Sequence, residues 1–239
     1  MAALLLVAIL KIRKVHLAMF RVVDDVANTR RETEALFAQM QALMALERKL
    51  GLPEPLPPMR GWAGSPDFLL AVADEVCIRR PRTVVECSSG VSTLVTARCL
   101  QLNGSGHVYS LEHEPAFAEK TRRLLARHGL SDWATVLDAP LQTVTTETPW
   151  YTEEALPTDL APIEMVVVDG PPAAVASLAR APALPRLRSR MAGRFMVMVD
   201  DADRPDETEM VRRWRALEPR LMETRIPCEK GLVVLEFEG

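Results

Sequence analysis

Two groups of residues in this chain have the types and spacing for chemistry. The first is Thr83-Val84-Val85-Glu86-Cys87-Ser88-Ser89-Gly90-Val91-Ser92-Thr93, a β-branched run that ends in a carboxylate and turns through small residues into a helix-like segment. A buried parallel strand that ends this way builds a nucleoside pocket at the carboxyl edge of a doubly wound sheet. The second group joins Val166-Val167-Val168-Asp169-Gly170-Pro171-Pro172 to Met196-Val197-Met198-Val199-Asp200-Asp201. Two apolar strands there deliver three carboxylates to one edge, and like charges gather only around something positive. An all-oxygen set of this kind suits Mg²⁺, or Ca²⁺ or Mn²⁺, rather than zinc. Two ordinary acidic strand ends are the plainer reading of the same residues.

Both groups need a sheet to hold them. Strand patterns fall at Thr83–Cys87, His107–Leu111, Ala134–Leu137, Ile163–Asp169 and Arg194–Asp200, separated by helical segments such as Pro115–His128. A further helix opens at Ser65-Pro66-Asp67 and runs to about Arg79, with proline in its first turn. Such alternation implies a parallel sheet covered on both faces. The tail breaks the rule: Leu221–Ile226 and Leu232–Phe237 are linked only by Pro227-Cys228-Glu229-Lys230-Gly231, too short for a helical crossover. The expected fold is α/β and doubly wound: a mostly parallel seven-stranded sheet with an antiparallel last strand, plus an N-terminal helical appendage.

That appendage is expected over residues 1–58, with the main domain over 59–239. Leu17 to Leu50 is almost free of Gly and Pro, and Leu36, Met40, Leu43, Leu46 and Leu50 recur at steps of three and four. Such a stripe is packing surface and could pair with its own copy in a homodimer. Gly51-Leu52-Pro53-Glu54-Pro55-Leu56-Pro57-Pro58 then stops the helix. Ala2 to Leu10 is continuously apolar but short of the about 20 residues that span a bilayer. Its basic neighbours Lys11, Arg13 and Lys14 follow rather than precede it, unlike a secretory signal. A buried helix end is the first reading, and a helix lying on a membrane surface the second.

Composition narrows the partners. The net charge of −3 gives no drive toward nucleic acid. The four cysteines form no C-x-x-C pair, which fits a reducing, cytoplasmic setting better than a disulfide framework.

On these motifs, from about Gly61 to Glu238, the chain resembles class I S-adenosylmethionine-dependent methyltransferases. Within them it is most similar to bacterial O-methyltransferases that use a divalent metal, the sugar and catechol enzymes. Glu86-Cys87-Ser88-Ser89-Gly90 matches the family's acidic-x-Gly-x-Gly turn, with Ser88 where the first Gly is usual. The resemblance implies S-adenosylmethionine as cofactor. It assigns Glu86, Ser88, Gly90 and Ser92 to the cofactor turn, Glu112 and His113 to the ribose end, Asp138 and Ala139 to adenine, and Asp169 beside them. A carboxylate at Glu112 can accept both ribose hydroxyls, as in dinucleotide folds. The resemblance also makes Asp169, Asp200 and Asp201 the metal ligands, for Mg²⁺ or else Ca²⁺ or Mn²⁺. Catechol-type enzymes place a lysine shortly after the fourth-strand Asp, and Gly170-Pro171-Pro172-Ala173 has none. The base is then Asp169 or His113, and His113 also reads as merely structural.

A nicotinamide dinucleotide fits less well. Its turn wants G-x-G-x-x-G, only Gly90 stands in that window, and Glu86 would face a diphosphate. The expected activity is methyl transfer to a hydroxyl of a small molecule, a saccharide or glycoconjugate ahead of a phenol. Trp62, Trp150 and Tyr151 offer faces for the acceptor, or plain core packing. Arg186, Arg188 and Arg190 would meet an anionic acceptor or simply line a solvated helix. The alternatives are a nicotinamide-dependent oxidoreductase and an inactive, methyltransferase-like interaction protein.

Overall fold

A computed structural model describes residues 2–59, 63–143 and 148–239. They form two compact units, Met1–Gln41 and Ala42–Gly239. Trp62, expected near the acceptor, lies outside the described residues.

Helix α1 (Ala2–Leu50) is continuous, so the apolar run at its start belongs to the same helix as the stripe that follows. Basic Arg48 and Lys49 in its last turn complement the negative end of the helix dipole. Gly51, at φ +53°, supplies the left-handed residue that ends it. Arg98 caps the open carbonyls, donating from Nε to Leu50 O at 2.7 Å. The stripe divides in two. Leu46 and Leu50 are fully buried with Phe68, Leu69 and Val72 of α2 (Pro66–Arg79), whereas Leu36 and Met40 stay exposed.

The main sheet holds β1 (Thr83–Cys87), β2 (His107–Glu112), β3 (Ala134–Asp138), β6 (Ile163–Val168), β7 (Met191–Val199), β8 (Met222–Ile226) and β9 (Leu232–Glu238). Its order is β3-β2-β1-β6-β7-β9-β8, with β9 antiparallel to both neighbours. A separate antiparallel ribbon pairs β4 (Leu141–Gln142) with β5 (Trp150–Tyr151). β7 starts at Met191 rather than Arg194 because Met191 pairs with Ile163 across a register shift.

Side-chain alternation splits the core into two layers. Val84, Val108, Met165, Val167 and Met198 face α2, α3 (Val91–Asn103) and α4 (Pro115–Arg127). Val85, Leu111, Val166, Val168 and Val197 face α5 (Ala183–Leu187) and α6 (Pro205–Leu217), where Trp214 is buried and donates from Nε1 to Ala181 O at 2.8 Å. Proline stands at the head of α2, α4 and α6, where its fixed φ suits the first turn and its missing N–H costs nothing.

The chain steps outward from β1 through β2 and β3, then returns to place β6 on the other side of β1. This reversal opens a crevice at the carboxyl ends of β1 and β6, the place where open α/β sheets bind ligands. Leu50→Ala is expected to destabilise the protein by about 2–5 kcal/mol, read by urea unfolding of the full chain, because a fully buried leucine is truncated. An unchanged midpoint would show that the end of α1 contributes no core.

Candidate active site

The turn after β1 is built around a buried acid. Glu86 is fully buried and accepts from Ser110 Oγ and Thr93 Oγ1, both at 2.5 Å. Thr93 Oγ1 in turn accepts from Gly90 N at 3.0 Å, so the loop is tied back to the strand that starts it. Burial pushes the Glu86 carboxyl above its usual range, and Oε1 has no hydrogen-bond partner among the described residues. Ser88 stands at φ +110°, so a serine occupies a backbone conformation that favours glycine, at a cost of about 1–3 kcal/mol. Gly170 approaches from the neighbouring strand end. A Cβ there would meet Tyr151 Oη at 2.6 Å and Ser88 Cβ at 3.0 Å, so only glycine fits.

Glu112 closes the next strand. Its Oε2 accepts from Ser89 Oγ at 2.8 Å and its Oε1 from Glu114 N at 3.0 Å. His113 Nδ1 lies 3.2 Å from the same Oε1. These residues, with Tyr151 and Asp169, form one wall of a cavity of about 600 Å³. Pro172, Ala173, Val175, Arg204 and Lys230 line the same cavity. A second cavity of about 480 Å³ holds Gly64, Gly90 and Ser92 and shares Ser88, Ser89 and Asp169 with the first.

Asp169, Asp200 and Asp201 each contribute an oxygen to a cluster spanning at most 4.8 Å. Backbone pairing sets them there: Asp169 N donates to Cys87 O at 3.2 Å and Asp200 N to Val168 O at 3.1 Å. Asp201 adopts φ +58°, turning the chain so that its side chain joins Asp169. The positive partner is Arg180. Its guanidinium, 5% exposed, donates to Asp201 Oδ2 at 2.8 Å, Asp169 O at 2.8 Å and Asp200 O at 3.0 Å. It also stands 3.6 Å from Asp169 Oδ1 and 3.7 Å from Glu207 Oε1. Arg204 adds a second contact to Asp201 Oδ2 at 2.8 Å, and Lys230 approaches Oδ1 at 3.8 Å.

One guanidinium does not saturate three acids. Both oxygens of Asp200 and Oδ1 of Asp201 lack a hydrogen-bond partner among the described residues. Burial, then the charge of Asp200, pushes Asp169 well above the usual carboxylate range; burial, then Asp201, raises Asp200. A donor set of orphaned, buried carboxylate oxygens fits a hard divalent cation.

The structure thus gathers Ser88, Glu112, His113, Tyr151, Asp169 and Asp201 around one crevice, while Glu86 and Asp200 are fully buried and line neither cavity. Gly90 and Ser92 sit on the second cavity. Asp138 turns away: it pairs with Arg122 at 2.8 Å, is 58% exposed and is absent from the lining of either cavity. Ala139 is buried, its N–H donating to Glu112 O at 2.7 Å. Trp150 is buried against Tyr151 at 5.0 Å between ring centroids, and only Tyr151 reaches the cavity. Arg186 pairs with Glu153, Arg188 lies over Phe195 and Phe237, Arg190 donates to Pro157 O, and none of the three lines either cavity. Arg180 is the residue that sequence reasoning missed; its signal was a single arginine within the apolar stretch Ala173–Pro185.

The sequence over residues 85–202 matches the family model described as a methyltransferase domain. Residues 85–202 carry a methyltransferase domain of the class I fold. Solved methyltransferase structures share this fold at low identity. A methyltransferase from Podospora anserina, bound to SAH, is 15% identical with a TM-score of 0.58, covering 83% of this chain and 88% of that one. An O-methyltransferase from Bacillus cereus, also with SAH, is 17% identical with a TM-score of 0.58, covering 86% and 91%. The O-methyltransferase of tomaymycin synthesis from Streptomyces achromogenes, in complex with SAM, is 19% identical with a TM-score of 0.55, covering 84% and 90%. No curated protein matches the sequence.

Arg180→Met should cost about 3–5 kcal/mol of stability, because it strands buried acids without their partner. Guanidinium unfolding at neutral pH reads this loss. A midpoint equal to wild type would mean that the cluster does not depend on Arg180.

Proposed function

We propose that the protein transfers a methyl group from S-adenosylmethionine to a hydroxyl of a small molecule, a saccharide or glycoconjugate, with a divalent ion held by Asp169, Asp200 and Asp201. The observation that carries this reading is the cavity that runs from Glu112 to the acidic cluster. A nucleoside end and an oxygen-rich end meet in one space, at Ser88 and Asp169.

The chemistry follows from the charges. A sulfonium methyl moves in line to an oxygen nucleophile, and the charges of cation and alkoxide cancel, so alignment and removal of the hydroxyl proton are the main tasks. Glu112 keeps free lone pairs beside its contacts to Ser89 and Glu114, which lets it take ribose hydroxyls. Glu86 and Asp169 suit the cationic, zwitterionic cofactor and repel a diphosphate. A divalent ion, when bound, lowers the pKa of the acceptor hydroxyl and fixes its oxygen. The proton leaves to His113 or Asp169, both on the cavity wall. Arg204 and Lys230 supply hydrogen-bond donors on the acceptor side, which match a polyhydroxyl ring better than a flat phenol.

Arg180 favours a second reading, in which the guanidinium replaces the ion and transfer needs no metal. Chelator separates the two. Asp200→Ala should slow transfer by about 100-fold or more, ~2.7 kcal/mol of barrier, while affinity for S-adenosylhomocysteine by calorimetry stays near wild type. Full activity of that variant in chelator overturns the metal role. Glu112→Ala should weaken S-adenosylhomocysteine binding by about tenfold or more, ~1.4 kcal/mol. Unchanged affinity would remove Glu112 from the cofactor site.

A further inference from the structure

Along α1 most of the exposed apolar residues keep a common rhythm, with Phe37 and Met44 at the neighbouring e positions. Ile12, Met19, Val22, Val26, Leu36 and Met40 are each between 54% and 68% exposed. From Met19 to Met40, with Thr29 and Thr33 between them, they fall on alternating steps of three and four over three heptads; Ile12 stands one heptad earlier, so Ile12, Met19, Val26, Thr33 and Met40 hold the a positions. A repeat of 3.5 rather than 3.6 residues is the pattern that a left-handed supercoil buries. We infer that residues 12–40 form a parallel two-stranded coiled coil between two copies of this chain.

Three observations choose this occupant. The threonines have already satisfied their hydroxyls: Thr29 Oγ1 donates to Asp25 O at 2.9 Å and Thr33 Oγ1 to Thr29 O at 2.8 Å. Their methyl groups therefore enter a seam without leaving an orphaned donor. The flanking charges match a parallel partner, since Asp25 at a g position meets Arg30 at the following e position of the other copy. Antiparallel pairing would set the g positions Asp25 and Glu32, two acids, against each other. The g edge of the stripe also carries two acids, Asp25 and Glu32, against one base, Lys11. A helix lying on anionic lipid shows a broad apolar face bordered by bases instead. No helix among the described residues is long and apolar enough to cross a membrane.

Sedimentation equilibrium of the full chain tests this, with a dimer expected at micromolar concentration. Val26→Glu should raise the dimer dissociation constant by about 100-fold or more, because it buries a carboxylate in the seam. Ala38→Glu, on the outer face, should leave the dimer intact. In a parallel dimer Val26→Cys juxtaposes its two copies and gives a covalent dimer on oxidation that wild type does not. A monomer, a trimer, a dimer indifferent to Val26→Glu, or a Val26→Cys dimer without the cross-link overturns the inference. So does a monomer that sediments with phosphatidylserine vesicles, which would give the stripe to a lipid surface.

Discussion

The catalytic edge rests on one buried guanidinium. Arg180 lies on an irregular segment between β6 and α5, and its donors reach the backbone of Asp169 and Asp200, the residues that follow β6 and β7. Planar, always charged and rich in donors, arginine can satisfy two strand ends and two acids at once, as no lysine could. Remove it, and the carboxylates repel one another in a place that water scarcely reaches. The group that permits the acids to gather thereby also fixes where the chain turns after each strand.

The turn after β1 works on the same principle with opposite charge. Glu86 is buried, and hydroxyls from Thr93 and Ser110 carry the burden of holding it. Its geometry propagates: Gly90 is drawn onto Thr93, Ser88 is forced to positive φ, and Gly170 packs against Ser88 with no room for a side chain. Two strands that are distant in sequence are thus closely fitted at their carboxyl ends. Rigid positioning of this kind is what in-line transfer demands.

Much of this was legible in the residues. The strands at the centre of the sheet announce themselves as β-branched or apolar runs, and Glu86, Glu112, Asp169 and Asp200 were readable because each stands at the end of such a run. The reversed β9 was visible in a link too short for a crossover. Arg180 was hidden because an irregular segment has no period from which to infer where a side chain points. Asp138 looked equivalent to Glu112, yet β3 is the edge strand, and Arg122 on α4 reaches across to take its charge. Trp150 and Tyr151 are neighbours on one short strand, where successive side chains diverge, and pattern alone does not say which of them meets the cavity.

The reversal of β9 also decides where the polypeptide leaves the domain. The five strands from β3 to β7 run toward the crevice; β9 runs back, pairing Val233 with Val199 first and Glu238 with Arg194 last. Had it run with its neighbours, the chain would exit at the rim that carries the acidic cluster. As built, Glu238 lies at the opposite rim of the sheet, so a fusion partner or affinity handle attached there would hang clear of the crevice.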